Sequence, residues 1–287
     1  LQLNPEYEIN TAIDPPEFIN LYNSFRTKPI FLFGVKAGIN RVAINETAYY
    51  TVDNINTNER NYSPAVGFQA GISFDIPMRG NFLLNPELYY RSKQYTYQSL
   101  LLDFADLTMI QSQTWISLPV IAKYQFEGKK TQPFVGLGGT IDFLLDDIAD
   151  ATRQDFVDEL TQREIKDASI SLLGQRNQLN FGAVITAGAR FKDLIGKGFL
   201  TLEARYYHGL SNLTNKDARY AEDDINKRLI HDYGFIASDM NLHTFTLSLG
   251  YMLPKYNPKI LPNKGKKKAK RTQLPDQKTK KEKKKAK

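Results

Sequence analysis

Residues Thr114 to Asp146 constrain the chain most. They read TWISLPVIAKYQF, then EGKKTQ, then PFVGLGGTIDFLLD. In the first arm Ile116, Leu118, Val120, Ala122, Tyr124 and Phe126 share one parity, and Ser117, Pro119, Ile121, Lys123 and Gln125 the other. In the second arm Val135, Leu137, Gly139, Ile141 and Phe143 alternate with Gly136, Gly138, Thr140 and Asp142. A period of two puts successive side chains on opposite faces of a strand, and the polar link containing Gly128 marks a hairpin. Each arm has at least 13 residues, well beyond the roughly five or six usual in a soluble strand. A tilted strand crosses a bilayer in about 9–11 residues, with apolar side chains towards lipid and small or polar ones inside. The stretch reads as a hairpin of a transmembrane β-barrel.

Composition fits a barrel and closes other routes. The chain has no apolar run of the about 18 residues that a membrane helix needs, so a helical membrane protein is excluded. A mean hydropathy of −0.43 leaves a barrel open, because half of each strand faces a polar interior. The absence of cysteine removes disulfides, thiolate nucleophiles and cysteine metal sites. Residues 1–25 hold no basic start followed by an apolar run; a barrel is exported, so the numbering is expected to begin after processing. The formal charge of +7 is unevenly spread: Pro254–Lys287 carries 15 Lys and Arg against Asp276 and Glu282, about +13, which leaves 23 basic and 29 acidic residues, about −6, in residues 1–253.

In order, residues 1–29 read as a periplasmic leader with a short helix around Pro16–Phe25. Strands are expected at Phe31–Ile44, Ala65–Ile76, Phe82–Thr96, the two central arms, Gln178–Phe191, Phe199–Leu210 and Leu242–Leu253. Long loops are expected at 45–63, 97–113, 147–177 and 211–241, the third carrying Phe156, Leu160 and Ile165 as the stripe of a short surface helix. PMRGN, EGKKTQ and KDLIGKG are short turns. The fold class is therefore all-β: an eight-stranded antiparallel up-and-down transmembrane barrel over residues 30–253, with long loops outside and both termini periplasmic. A soluble barrel would bury its apolar residues, whereas here small and charged positions share one face and Phe and Tyr crowd the other. Pro86 and Pro119 fall inside strands, where a missing N–H breaks a ladder bond. They are expected nearly opposite one another, sharing a bulge.

The segments WISLPVIAKYQF, PFVGLGGTIDFLL, NFGAVITAGARF, LTLEARYYHGLSNL and FTLSLGYML, with GVKAGIN at 34–40 and NPELYY at 85–90, resemble successive strands of the PorT-like outer-membrane β-barrel family, common in Bacteroidetes. The resemblance spans roughly residues 31–253 and includes both strand prolines. It implies fold and location, and little about activity, although some members resemble components linked to type IX secretion. Barrels of this kind usually end on an aromatic residue; here the last strand ends Met252-Leu253 and a long tail follows.

The inward parity collects Lys36, Asp75, Glu87, Arg91, Lys123, Asp142, Arg190, Glu203 and Arg205, five positive and four negative. An unpaired buried charge is costly, so these are expected to form a salt-bridged plug; a narrow ion path is the alternative. His208 and His243 fall near the outer rim, with Ser211 close in sequence, but no carboxylate stands at the spacing a hydrolytic triad needs. They read as interfacial side chains, and Glu222, Asp223 and Asp224 as a solvated acidic run. VGLGG at 135–139 leads into strand rather than helix, so it cradles no phosphate. Tyr90, Tyr124, Tyr206 and Tyr251 read as interface girdles. No catalytic residue, metal or cofactor is expected.

The segment 254–287 is expected to be disordered. Lys266, Lys267, Lys268, Lys270, Arg271, Lys280, Lys281, Lys283, Lys284 and Lys285 form its partner-binding charge. Attached to the last strand, it meets anionic headgroups, peptidoglycan carboxylates or an acidic periplasmic protein, and no nucleic acid. The function read from sequence is a non-enzymatic structural or interaction component of the cell envelope. A narrow channel or export-machine subunit, and a lipid-modifying enzyme, are the alternatives. In detergent the unboiled protein should run faster on a gel than the boiled sample, with or without Pro254–Lys287; equal mobilities would remove the closed barrel.

Overall fold

In lipid, backbone polar groups have no water to bond, so a spanning sheet must leave no free edge. In the computed structural model eight strands close such a ring. The structure describes residues 29–49, 60–101, 105–128, 130–158, 161–192, 194, 198–219 and 238–256. The strands are β1 (Phe31–Tyr49), β2 (Arg60–Pro64), β3 (Val66–Pro77), β4 (Phe82–Leu101), β5 (Ala105–Gln125), β6 (Thr131–Asp158), β7 (Thr161–Ser171), β8 (Leu179–Lys192), β9 (Phe199–Gly209) and β10 (Ser238–Lys255). All pairings are antiparallel, and the ring runs β1, β3, β4, β5, β6, β8, β9, β10 and back to β1. Its closing seam extends from Phe31↔Lys255 to Tyr49↔Ser238. β2 continues the line of β3 and pairs with β4, while β7 lies off the ring on β6. The strand ends flanking three short connections, Pro77 and Phe82, Gln125 and Thr131, and Lys192 and Phe199, lie at the same end as Phe31 and Lys255. This is the turn end, and the opposite one the loop end.

Two expected loops are strand instead. Residues 97–101 and 105–113 form the end of β4 and the start of β5, paired from Tyr97↔Met109 to Leu101↔Ala105. The reason is a continued period of two: Ala105, Leu107, Met109, Gln111 and Gln113 are buried and alternate with more exposed neighbours. Residues 147–158 and 161–171 likewise form the long arm of β6 and the hairpin strand β7, so Phe156 and Ile165 stand on strands rather than on a surface helix, while Leu160 lies outside the described residues. Above the rim β2, β4, β5, β6 and β7 thus make a sheet that projects from one side of the ring. The first and fourth loops fall largely on residues outside the described set, as do the leader with its helix, the acidic run Glu222–Asp224 and the basic residues Lys266 to Lys285.

Parity decides which side chain goes where. Phe33, Ile39, Phe68, Leu118, Leu137, Ile185, Phe245 and Leu249 are exposed on the outward face. A contiguous apolar belt of this kind is incompatible with water and matches lipid. One break in parity stands at the rim. Thr114 opposes Asp146 but Trp115 opposes Leu144, so Leu145 is an extra residue on β6. Inward positions on β6 accordingly change from even (Thr140, Asp142, Leu144) to odd (Asp147, Ala149, Ala151).

The prolines do not share a bulge. Pro86 opposes Val120 and Pro119 opposes Thr140, with an unshifted β4–β5 register from Phe82↔Tyr124 to Leu101↔Ala105. The ladder simply lapses at Glu87 and Leu88 on one side of β4, and at Asn85 and Pro86 on the other. Pro86 has no N–H for the Phe74 carbonyl, and Asn85 Nδ2 donates to that oxygen in its place at 2.8 Å. The same amide donates to Ser73 Oγ at 2.9 Å. Asn85→Ala should therefore lower stability by about 1–3 kcal/mol, the cost of a buried acceptor left unmet, read as the urea midpoint of the gel-mobility shift. An unchanged midpoint would mean that the Phe74 carbonyl has another donor.

Candidate functional site

The candidate site is the barrel interior with the rim above it. All nine inward charges expected from parity are buried, none more than 8% exposed. Five of them make one cluster at mid-barrel. Lys36 Nζ lies 2.7 Å from Glu87 Oε1 and 2.6 Å from Glu203 Oε2. Arg205 grips both carboxylates, through Nη1 and Nη2 on Glu87 and through Nε on Glu203 Oε1 at 2.8 Å. Lys123 Nζ is 3.2 Å from Glu203 Oε1. Ser73 Oγ donates to Glu87 and Thr186 Oγ1 to Glu203. Neither carboxylate is left with a free face to act as a base.

The other four charges sit apart from that cluster. Arg190 pairs with Asp75 towards the turn end and donates to Gln125 Oε1 at 2.7 Å; Leu32, Phe199 and Met252 close that end with apolar contacts. Towards the loop end Arg91 lies across the Tyr207 ring, 4.0 Å from its centroid, and donates to the Tyr207 hydroxyl. Its Nη1 is 4.0 Å from Asp142 Oδ1.

Parity also places Lys93 inward, 4% exposed, with Nζ 4.4 Å from the centre of the Trp115 ring. It shares a face with Arg91 on β4, so the signal that found Arg91 also covered Lys93. A further buried pair, Arg176 and Asp147, gave no such signal. Arg176 Nε donates to Asp147 Oδ2 at 2.8 Å and Nη2 to Gln111 Oε1 at 3.0 Å, while Gln113 Nε2 donates to Asp147 at 3.0 Å. Burial alone would lower the pKa of Arg176, but Tyr95 and Asp147 against it hold it above its ordinary value. Val42, Trp115, Leu144, Leu213, Met240 and Leu242 pack in the same layer, so the loop end is filled but for a space of about 20 Å³ beside Trp115.

On the outward face His208 and His243 are direct ladder partners, their rings 4.5 Å apart, and the Tyr206 hydroxyl is 3.1 Å from His243 Nδ1. Ser211 Oγ accepts from the Phe181 amide at 2.8 Å. The two imidazoles thus associate with each other and with a phenol. Among the described residues no three His, Cys, Asp or Glu side chains are placed to hold a metal.

With a closed antiparallel ring, an apolar outside and a charged inside in view, comparison gives the family. Residues 24–215 match the model described as "Outer membrane protein beta-barrel domain". The chain belongs to that family. This outer-membrane barrel is also similar to solved structures. Neisserial surface protein A is 12% identical, with 77% of this chain and 96% of that one covered at a TM-score of 0.37. OprG from Pseudomonas aeruginosa is 11% identical, with 80% and 99% covered at 0.41. Ail, the attachment invasion locus protein of Yersinia pestis, is 10% identical, with 79% and 100% covered at 0.31. No curated protein matches the sequence.

The mid-barrel cluster supplies a direct test. Glu87→Leu removes the partner shared by Arg205 and Lys36, and breaking a buried ion pair costs about 3–5 kcal/mol. The urea midpoint of the gel shift should fall accordingly. Glu164→Ala, which breaks the exposed pair with Lys166 at 2.9 Å, should change stability by less than about 1 kcal/mol.

Proposed function

We propose that this outer-membrane barrel is a non-enzymatic structural or interaction component of the cell envelope. It presents its loop-end sheet outside the cell and the Lys-rich segment 254–287 in the periplasm. The observation that carries the reading is the filled interior. The ion cluster at mid-barrel is bounded by apolar side chains towards the turn end and by the Arg176–Asp147 layer towards the loop end. An eight-stranded barrel has just enough room for such side chains. Its specific parts therefore lie outside the wall. The orientation rests on the three short turns sharing an end with Phe31 and Lys255, the arrangement expected of periplasmic turns. The finer kinship with the PorT-like family belongs to this proposal, and with it an accessory place in an export machine. The lipid-modifying alternative is the weaker one, because His208 and His243 face each other and Tyr206 instead of a carboxylate.

The segment 254–287 carries about +13, suited to anionic headgroups, peptidoglycan carboxylates or an acidic protein, with an attraction that salt weakens. Two measurements test the reading. In planar bilayers the full chain should give no conductance steps above background; regular steps would replace the plug with a channel. Pelleting with purified peptidoglycan should retain the full chain and lose it on deletion of Pro254–Lys287. Equal retention of both forms would remove the tail from the proposal.

A further inference from the structure

The interior charges do not all find partners. Lys36, Lys123, Arg205 and Arg190 are paired with Glu87, Glu203 and Asp75. Asp142, the carboxylate of the upper interior, lies 4.0 Å from Arg91 and accepts from Thr140 Oγ1 at 2.8 Å. That leaves Lys93. Lys93 is 4% exposed and its ammonium rests over the Trp115 ring, and among the described residues no carboxylate lies within 4.0 Å and no acceptor within hydrogen-bond distance. A cation–π contact offsets part of the lost hydration but supplies no counter-charge.

Beside it is a small cavity. Lys93, Trp115, Thr140, Asp142, Asn180 and Thr244 are among the residues that line it. Thr244 Oγ1 is a buried polar atom with no partner. The space open to the centre of a water-sized body is about 20 Å³, enough for about one such body and too little for an organic solute. Arg91 and Lys93 against Asp142 leave one positive charge over, which a single monovalent anion neutralises.

From the unpaired Lys93 ammonium, the unpartnered Thr244 hydroxyl and the ion-sized cavity between them, we infer that the loop end of the lumen holds a site for one halide-sized anion. The ammonium supplies the charge, Thr244 donates a hydrogen bond, and the Trp115 ring walls the site. Chloride is the abundant anion of that size. This inference is independent of the envelope role proposed above.

Trp115 makes the site readable, because it is the only tryptophan and is 1% exposed. Folded full-length protein in detergent is titrated with potassium bromide at constant ionic strength, balanced with fluoride, while Trp115 emission is followed. Bromide in the site is a heavy-atom quencher against the indole. The expected result is a saturable quench that chloride competes away. It should be absent in Lys93→Met and present in Lys93→Arg, with half-saturation roughly tenfold weaker in Thr244→Val for the loss of one charge-assisted hydrogen bond. The gel-mobility shift establishes that each variant is folded. A wild-type quench that is linear in bromide and indifferent to chloride overturns the site, leaving a water there and Lys93 on Trp115 alone. So does a saturable quench unchanged in folded Lys93→Met. Should that variant not fold, the wild-type curve and Thr244→Val decide on their own.

Discussion

Lys36, standing between Glu87 and Glu203, is the contact on which the rest of the interior depends. These residues lie on β1, β4 and β9, and Lys123 and Thr186 bring in β5 and β8. With Ser73 of β3 donating to Glu87 as well, one hydrogen-bonded ionic group joins six of the eight strands across the lumen. Hydrophobic burial cannot fill that role here, because the apolar faces of these strands look outwards to lipid. The centre of the molecule must be polar, and a polar centre is stable only when each charge is met.

The same requirement explains the layering. Where the interior meets the turn end, Arg190 and Asp75 give way to Leu32, Phe199 and Met252. Where it meets the loop end, Arg176 and Asp147 are embedded among Leu144, Leu213 and Met240. The outward face stays apolar beside them, with Phe33 and Leu253 next to Leu32 and Met252, and Phe143 and Leu145 next to Leu144. Above the rim the pattern becomes that of a water-soluble sheet: Leu107, Met109, Ala149, Ile170 and Leu172 form a small core between strands that have left the ring.

Much of this was legible in the sequence, because a strand's period survives whatever the strand pairs with. The alternation in Thr114–Asp146 gave the ring strands, and the same alternation gave the faces of Lys36, Glu87, Glu203 and Arg205. What it did not give was length. Residues 105–113 and 147–156 keep the period but use polar and small residues, Gln111, Ser112, Ala149 and Ala151 among them, which read as loop when no lipid-facing belt accompanies them. The pair Arg176–Asp147 was hidden for a different reason. Its carboxylate faces inwards only because one residue, Leu145, is squeezed out of the ladder, and nothing in the local sequence announces that. At Pro86 the remedy for the missing N–H is a side chain, Asn85, rather than a change of register.

The extra residue at Leu145 also divides β6 into two stretches of independent parity. Below it, the ladder fixes which side chains meet lipid, and a one-residue slip would turn charges outwards across the whole wall. Above it, the parity of β6 has already been reset. Insertions, deletions and new sequence in the projecting hairpin can then be absorbed at that joint without being transmitted down the strand. The projecting hairpin can change while the wall that anchors it stays in register.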